Sequence, residues 1–258
     1  MKKLGLHGTL QIGLALLLVA LFPADIAAQD LKAWFAKPAN QAAYGAIATE
    51  AQILAEAIKK ASLSDSLIAT RLEEAAKKRI PATVLIATLK EDTARYLIVS
   101  DALRLRDLQP KNEKQATAMV EQIALLLRAG IERNELGAAL DAAVSKLGKV
   151  AGGKPAVSRA IAALSVVANA RAEYVMSEEE SLLLVITLVE SDLSDKKMDS
   201  VLAFIKNVIA KGGSVSDALD AIVEQELKKK AADAKAKAKS EEKSKIKENQ
   251  GNSGKSGK

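Results

Sequence analysis

Between Ala116 and Leu147 the apolar residues recur three and four positions apart, a spacing that leaves this chain little choice of secondary structure. Met119, Ile123, Leu126 and Leu127 fall on one face of a first helix, and Leu136, Leu140, Val144 and Leu147 on one face of a second. Ala129-Gly130 stands between them, and glycine most readily takes the left-handed conformation that ends many helices. The pattern predicts an αα-hairpin with a very short connection. Neither helix can bury its apolar stripe alone, so the unit requires neighbours of the same kind.

The break recurs. Arg128-Ala129-Gly130-Ile131 followed by Leu136 and Leu140 has the spacing of Lys78-Arg79-Ile80 followed by Leu85 and Leu89. A second form, Ser62-Leu63-Ser64-Asp65-Ser66-Leu67 and Ser214-Val215-Ser216-Asp217-Ala218-Leu219, sets a serine three residues before an aspartate. This is a capping-box-like arrangement whose hydroxyl can accept an orphan N–H at a helix start. Ser177-Glu178-Glu179-Glu180 repeats the device with glutamate. These positions read as degenerate helical-hairpin repeats or as convergence on good caps.

Helical spacing extends through the chain. Helices are predicted over Gln41 to Ala61, over residues 65 to 79, and from Pro81 to Leu105. Three more are predicted at Pro155 to Tyr174, Ser177 to Glu190 and Lys196 to Lys211, and a last one from Ser216 onward. Thr83 to Thr88 and Arg95 to Ser100 are rich in β-branched residues, but Leu85, Leu89, Leu97, Ala102 and Leu105 keep the helical period and no hairpin turn intervenes. Leu108 to Asn112 is a loop and a candidate midpoint between two halves. The only tryptophan lies in Trp34-Phe35, a pair that either packs onto the first hairpin or serves as a partner anchor. The expected fold is all-α, with eight to ten helices as stacked αα-hairpins in a solenoid-like or irregular bundle.

The ends differ from this body. Met1-Lys2-Lys3, the apolar run from Ile12 to Phe22, Pro23 and the small residues before Gln29 form the three parts of an export signal. Residues 1–28 are therefore expected to be a signal peptide cleaved near Ala28/Gln29, giving a periplasmic or secreted protein; an uncleaved signal anchor is the rival. Beyond residue 28 no run approaches the roughly 18 apolar residues of a membrane span. Residues 29–227 are the helical body. In residues 228–258 eleven lysines face Asp233, Glu241, Glu242 and Glu248, a net of +7, whereas the whole chain is only +6 and residues 1–227 therefore −1. Lys228, Lys229, Lys230, Lys235, Lys237, Lys239, Lys243, Lys245 and Lys247 would attract a polyanion, whether envelope polysaccharide, anionic lipid head groups or nucleic acid. Such a segment has too little apolar surface to fold, and a disordered tail that merely solubilises is the alternative.

Several chemistries are excluded. The chain has no cysteine, and its one histidine, His7, lies in the leader. Without thiol or imidazole there is no disulfide, no His- or Cys-ligated zinc or haem, no Ser-His-Asp triad and no thiol nucleophile. Gly148, Gly153 and Lys154 have P-loop spacing, but Pro155 occupies the magnesium-ligating position and a helix, not a strand, precedes it. Glu190, Asp192, Asp195 and Asp199 lack the glycine of a calcium loop and read as a solvated acidic loop. With aromatics at 3%, few rings are available as stacking platforms for sugars or single-stranded nucleic acid. No catalytic residue, metal site or cofactor is predicted. The expectation is a non-enzymatic exported interaction or scaffold protein with a partner in the envelope or outside the cell, the alternative being a carrier or chaperone that shelters apolar ligands between helices.

Overall fold

The computed structural model describes residues 31–148, 153–225, 227, 228 and 232. Residues 1–30, the segment 149–152 and nearly all of the basic tail lie outside the described residues. The helices are α1 (Leu31–Ala36), α2 (Pro38–Tyr44), α3 (Ala48–Lys60), α4 (Ser66–Lys78), α5 (Ala82–Arg104), α6 (Glu113–Arg128), α7 (Arg133–Leu147), α8 (Lys154–Glu173), α9 (Glu178–Glu190) and α10 (Asp195–Ala210). Residues 215–225 are also helical, and no strand occurs among the described residues. The all-α expectation is met. The β-branched stretches of α5 lie within one continuous helix, because Leu85, Leu89, Tyr96, Val99 and Leu103 are buried at helical spacing and that burial outweighs strand propensity.

Among the described residues, every substantial helix–helix contact joins helices one or two steps apart in chain order. α5 packs on α3, α6 and α7; α8 packs on α6, α7, α9 and α10; α7 packs on α9. This is the connectivity of a stack grown by adding hairpins, in which each unit buries its apolar face on the next. Leu108 to Asn112 is the turn of the α5–α6 hairpin. The two helices flanking Gly130 form as predicted, but their main partners lie elsewhere: α6 rests on α5 and α8, and α7 on α8 and α9. The break at Gly130 thus carries the chain from one part of the stack into the next.

The predicted helix over Gln41 to Ala61 is interrupted by a 3-10 turn at Gly45–Ile47. Tyr44 leaves the helical region at φ −130°. Its buried hydroxyl instead donates to the carbonyls of Ala75 (3.2 Å) and Ile80 (3.0 Å), two long-range bonds that periodicity within the segment could not announce. Trp34 and Phe35 are 1% and 4% exposed and meet edge to face with ring centroids 4.9 Å apart. The packing alternative therefore holds. Both rings belong to the buried core.

The recurring breaks share one physical form. Ser62 (φ 61°), Arg79 (54°), Asp107 (57°), Gly130 (97°) and Gly212 (90°) take the left-handed conformation at the ends of helices. After each, the next N–H reaches back five residues: Leu63 to Ile58 (3.2 Å), Ile80 to Ala75 (2.9 Å), Leu108 to Leu103 (2.9 Å), Ile131 to Leu126 (3.0 Å) and Gly213 to Val208 (3.1 Å). This is the Schellman motif, which satisfies a carbonyl that the helix end would leave unpaired. Leu63, Leu108 and Ile131 add the apolar contact that accompanies it, for all three are buried. The match between Arg79-Ile80 and Gly130-Ile131 is therefore a match of helix ends.

The two serine motifs, alike in letters, differ in structure. Ser214 caps a helix: its Oγ accepts the Asp217 N–H at 3.1 Å and its own N–H donates to the Asp217 carboxylate at 2.7 Å. Ser62 instead is the left-handed residue closing α3, and Asp65 is the N-cap of α4. The reason lies just upstream. Gly212 takes the left-handed position before Ser214, whereas before Leu63 that position falls to Ser62 itself. Ser177 behaves as predicted, in a reciprocal capping box with Glu180.

A Cβ at Gly130 would meet no atom within 4 Å, so Gly130→Val tests backbone strain alone. At φ 97° a β-branched residue should cost about 1 kcal/mol or more, lowering the thermal midpoint by a few degrees. An unchanged midpoint would show that the break relaxes without cost.

Candidate functional site

α4, α5 and α6 bring three arginines onto one buried carboxylate. Asp92 is 1% exposed. Arg95, one turn further along α5, donates Nη1 to its Oδ1 at 3.1 Å; Arg71 of α4 places Nε 3.4 Å from Oδ2, and Arg128 of α6 bonds Oδ1. Glu74 and Glu91 take further donors of Arg71 (2.9 Å) and Arg95 (3.2 Å). Burial pushes the carboxyl of Glu121 on α6 up from its ordinary pKa. Arg71 and Arg128 oppose that shift, while Glu74 and Asp92 reinforce it. Burial likewise raises the Tyr96 hydroxyl, against the opposing charge of Arg71. The charges of this hub are largely matched among its own members, so it acts as a cross-link between three helices.

Arg95 is shared with an open cleft of about 540 Å³. α5 contributes Arg95 and Ile98, the end of α6 contributes Leu127, and the break and first turn of α7 contribute Ile131, Glu132, Arg133 and Asn134. The floor is apolar and the rim charged. Behind the break, Arg171 of α8 donates to the carbonyl of Gly130 at 2.5 Å and to the buried carboxylate of Glu135. This fixes the first turn of α7 and with it the rim.

A second open cleft, of about 360 Å³, lies at the end of α9, with Lys146, Ser158, Arg159 and Asp192 in its lining. The last carbonyls of a helix have no intrahelical partner. Here cations supply them. Arg159, 6% exposed, donates to the carbonyls of Leu188 (2.7 Å), Val189 (3.2 Å), Ser191 (2.5 Å) and Leu193, and Lys146 to those of Glu190 (2.7 Å) and Ser191. These charges cap α9, so the cleft is the outer side of a structural joint.

Gly153 is the left-handed N-cap of α8, and a Cβ there would stand 2.8 Å from the Cα of Leu108 and 2.9 Å from its carbonyl oxygen. The glycine thus permits the α5–α6 turn to lie against α8. Asp192 of the acidic loop lies 3.3 Å from Lys146, while the side chains of Asp195 and Asp199 lie outside the described residues. No group of acidic residues able to hold a metal ion occurs among the described residues, and none of their helices is long and apolar enough to cross a membrane. Lys228 pairs with Glu224 at 2.7 Å; Lys229, Lys230, Lys235, Lys237, Lys239, Lys243, Lys245 and Lys247 lie outside the described residues. The Asp92 hub and the Arg159 and Arg171 joints escaped sequence reading. The one available signal was Arg159, the single charged residue in the run from Ala156 to Ala170.

Fold and clefts together define an all-α protein of locally stacked helices, tied internally by arginines that bridge buried carboxylates and helix-end carbonyls, and carrying broad surface clefts. No protein-family model, no curated protein and no solved structure matches it.

Proposed function

We propose that this chain is a non-enzymatic interaction or scaffold protein of the periplasm or the cell exterior, whose helical surface engages a protein and whose Lys-rich tail adheres to polyanions. The form of the clefts carries this reading. Both are open and of mixed polarity, whereas a carrier of apolar ligands needs a site that encloses most of its cargo. The export assignment rests on the tripartite leader, and the tail assignment on charge, +7 over residues 228–258 against −1 for the rest of the chain.

Truncation after Glu226 separates the two roles. The shortened protein should keep its helical circular dichroism and lose binding to heparin and to duplex DNA. Binding by the full chain should fall on the order of a thousandfold between 50 and 200 mM salt if about seven charges engage. Undiminished polyanion binding after truncation would move that activity to the folded body. Saturable, stoichiometric uptake of a fluorescent fatty acid would favour the carrier.

A further inference from the structure

We infer that the cleft between α5 and the first turn of α7 docks an acidic peptide segment bearing an apolar anchor residue, an assignment that rests on the interaction-protein reading above. Ile98, Leu127 and Ile131 give the cleft an apolar floor that a leucine-sized side chain can cover. Its volume of about 540 Å³ lies within the range in which small ligands are held, about 300–1,000 Å³.

Charge selects the rest of the occupant. The lining holds two guanidinium groups and one carboxylate, Arg95, Arg133 and Glu132. Arg95 already serves Glu91 and Asp92. Glu132 is the N-cap of α7, its N–H donating to the Glu135 carboxylate at 2.8 Å, and the helix dipole offsets its charge. Arg133 is exposed and has no hydrogen-bond or ion-pair partner among the described residues. The rim therefore presents one uncommitted fork of donors beside an apolar floor, suited to a carboxylate next to an aliphatic side chain. A fatty acid offers the same two groups, but a cleft this open would leave much of its chain in water. A peptide can cover the floor with a side chain and keep its backbone solvated.

The test uses the mature full-length chain and a fluorescent acetylated hexapeptide, ELLELL, with QLLQLL and EGGEGG as companions. ELLELL should bind, and Arg133→Glu should weaken it roughly tenfold or more while leaving the circular dichroism unchanged. Arg133→Lys should retain part of the affinity, and both companion peptides should bind as weakly as ELLELL binds the Arg133→Glu variant. Absence of ELLELL binding, or binding indifferent to Arg133→Glu, overturns the assignment. Equal binding of EGGEGG places the interaction on the basic tail, which sinks the cleft proposal and leaves the adhesion reading intact. Stoichiometric displacement of ELLELL by decanoate would overturn both in favour of a carrier.

Discussion

Arg171→Met will destabilise the protein by about 3–5 kcal/mol, the loss expected when one partner of a buried ion pair is removed. Glu135 is fully buried, at 0% exposure. Arg171 donates to both its carboxylate oxygens, to the carbonyl of Gly130 at 2.5 Å and to the hydroxyl of Ser181 at 2.9 Å. One guanidinium on α8 thus holds the α6–α7 break, the first turn of α7 and the start of α9. Methionine preserves much of the aliphatic stem, so the loss reports on charge and hydrogen bonds more than on packing. The backbone N–H of Glu132, 2.8 Å from the Glu135 carboxylate, would remain its donor, too little to hold a buried anion. Urea denaturation at neutral pH measures the effect. The double variant Arg171→Met/Glu135→Leu should recover most of the stability, because removing both charges also removes the cost of desolvating them. A single-variant loss below about 1 kcal/mol would show that water reaches the carboxylate readily.

Arg159→Met should cost about 3 kcal/mol or more, through unsatisfied carbonyls at the end of α9. Leu188, Val189, Ser191 and Leu193 all direct carbonyl oxygens at this guanidinium, and the Ser191 hydroxyl accepts from it at 3.0 Å. A buried acceptor stripped of its donor costs about 1–3 kcal/mol, less where the open cleft admits water, so the four losses will not add in full. Lys146 keeps its own bonds to Glu190 and Ser191 and should prevent complete fraying. Arg159→Lys should fall between wild type and methionine, because a single ammonium cannot span the positions that the fork serves. At roughly 2–4 °C per kcal/mol for a chain of this size, Arg159→Met should melt at least about 6 °C lower. Hydrogen exchange should localise the weakening to the last turn of α9 and the segment after it. Equal protection there in variant and wild type would mean that solvent caps the helix as well as the arginine does.

The fold class and most helix limits were legible in the chain alone. Periodic apolar residues specify a buried stripe whatever it packs against, so α5 could be recognised through its β-branched stretches and α6 and α7 on either side of Gly130. Ser177 and Ser214 were equally legible, since a cap closes hydrogen bonds over three residues and needs no distant partner. Where a distant group intervened, local reading stopped. The 3-10 turn at Gly45–Ile47 accompanies bonds from Tyr44 to carbonyls more than thirty residues away. The Asp92 hub draws on residues 71, 92, 95 and 128, and the rim of the cleft on residues 95 and 133. Spacing within one helix cannot encode such meetings. It determines which face is apolar, whereas the stacking of faces in three dimensions decides which buried charges are neutralised and leaves Arg133 at the edge of a cleft without a partner among the described residues.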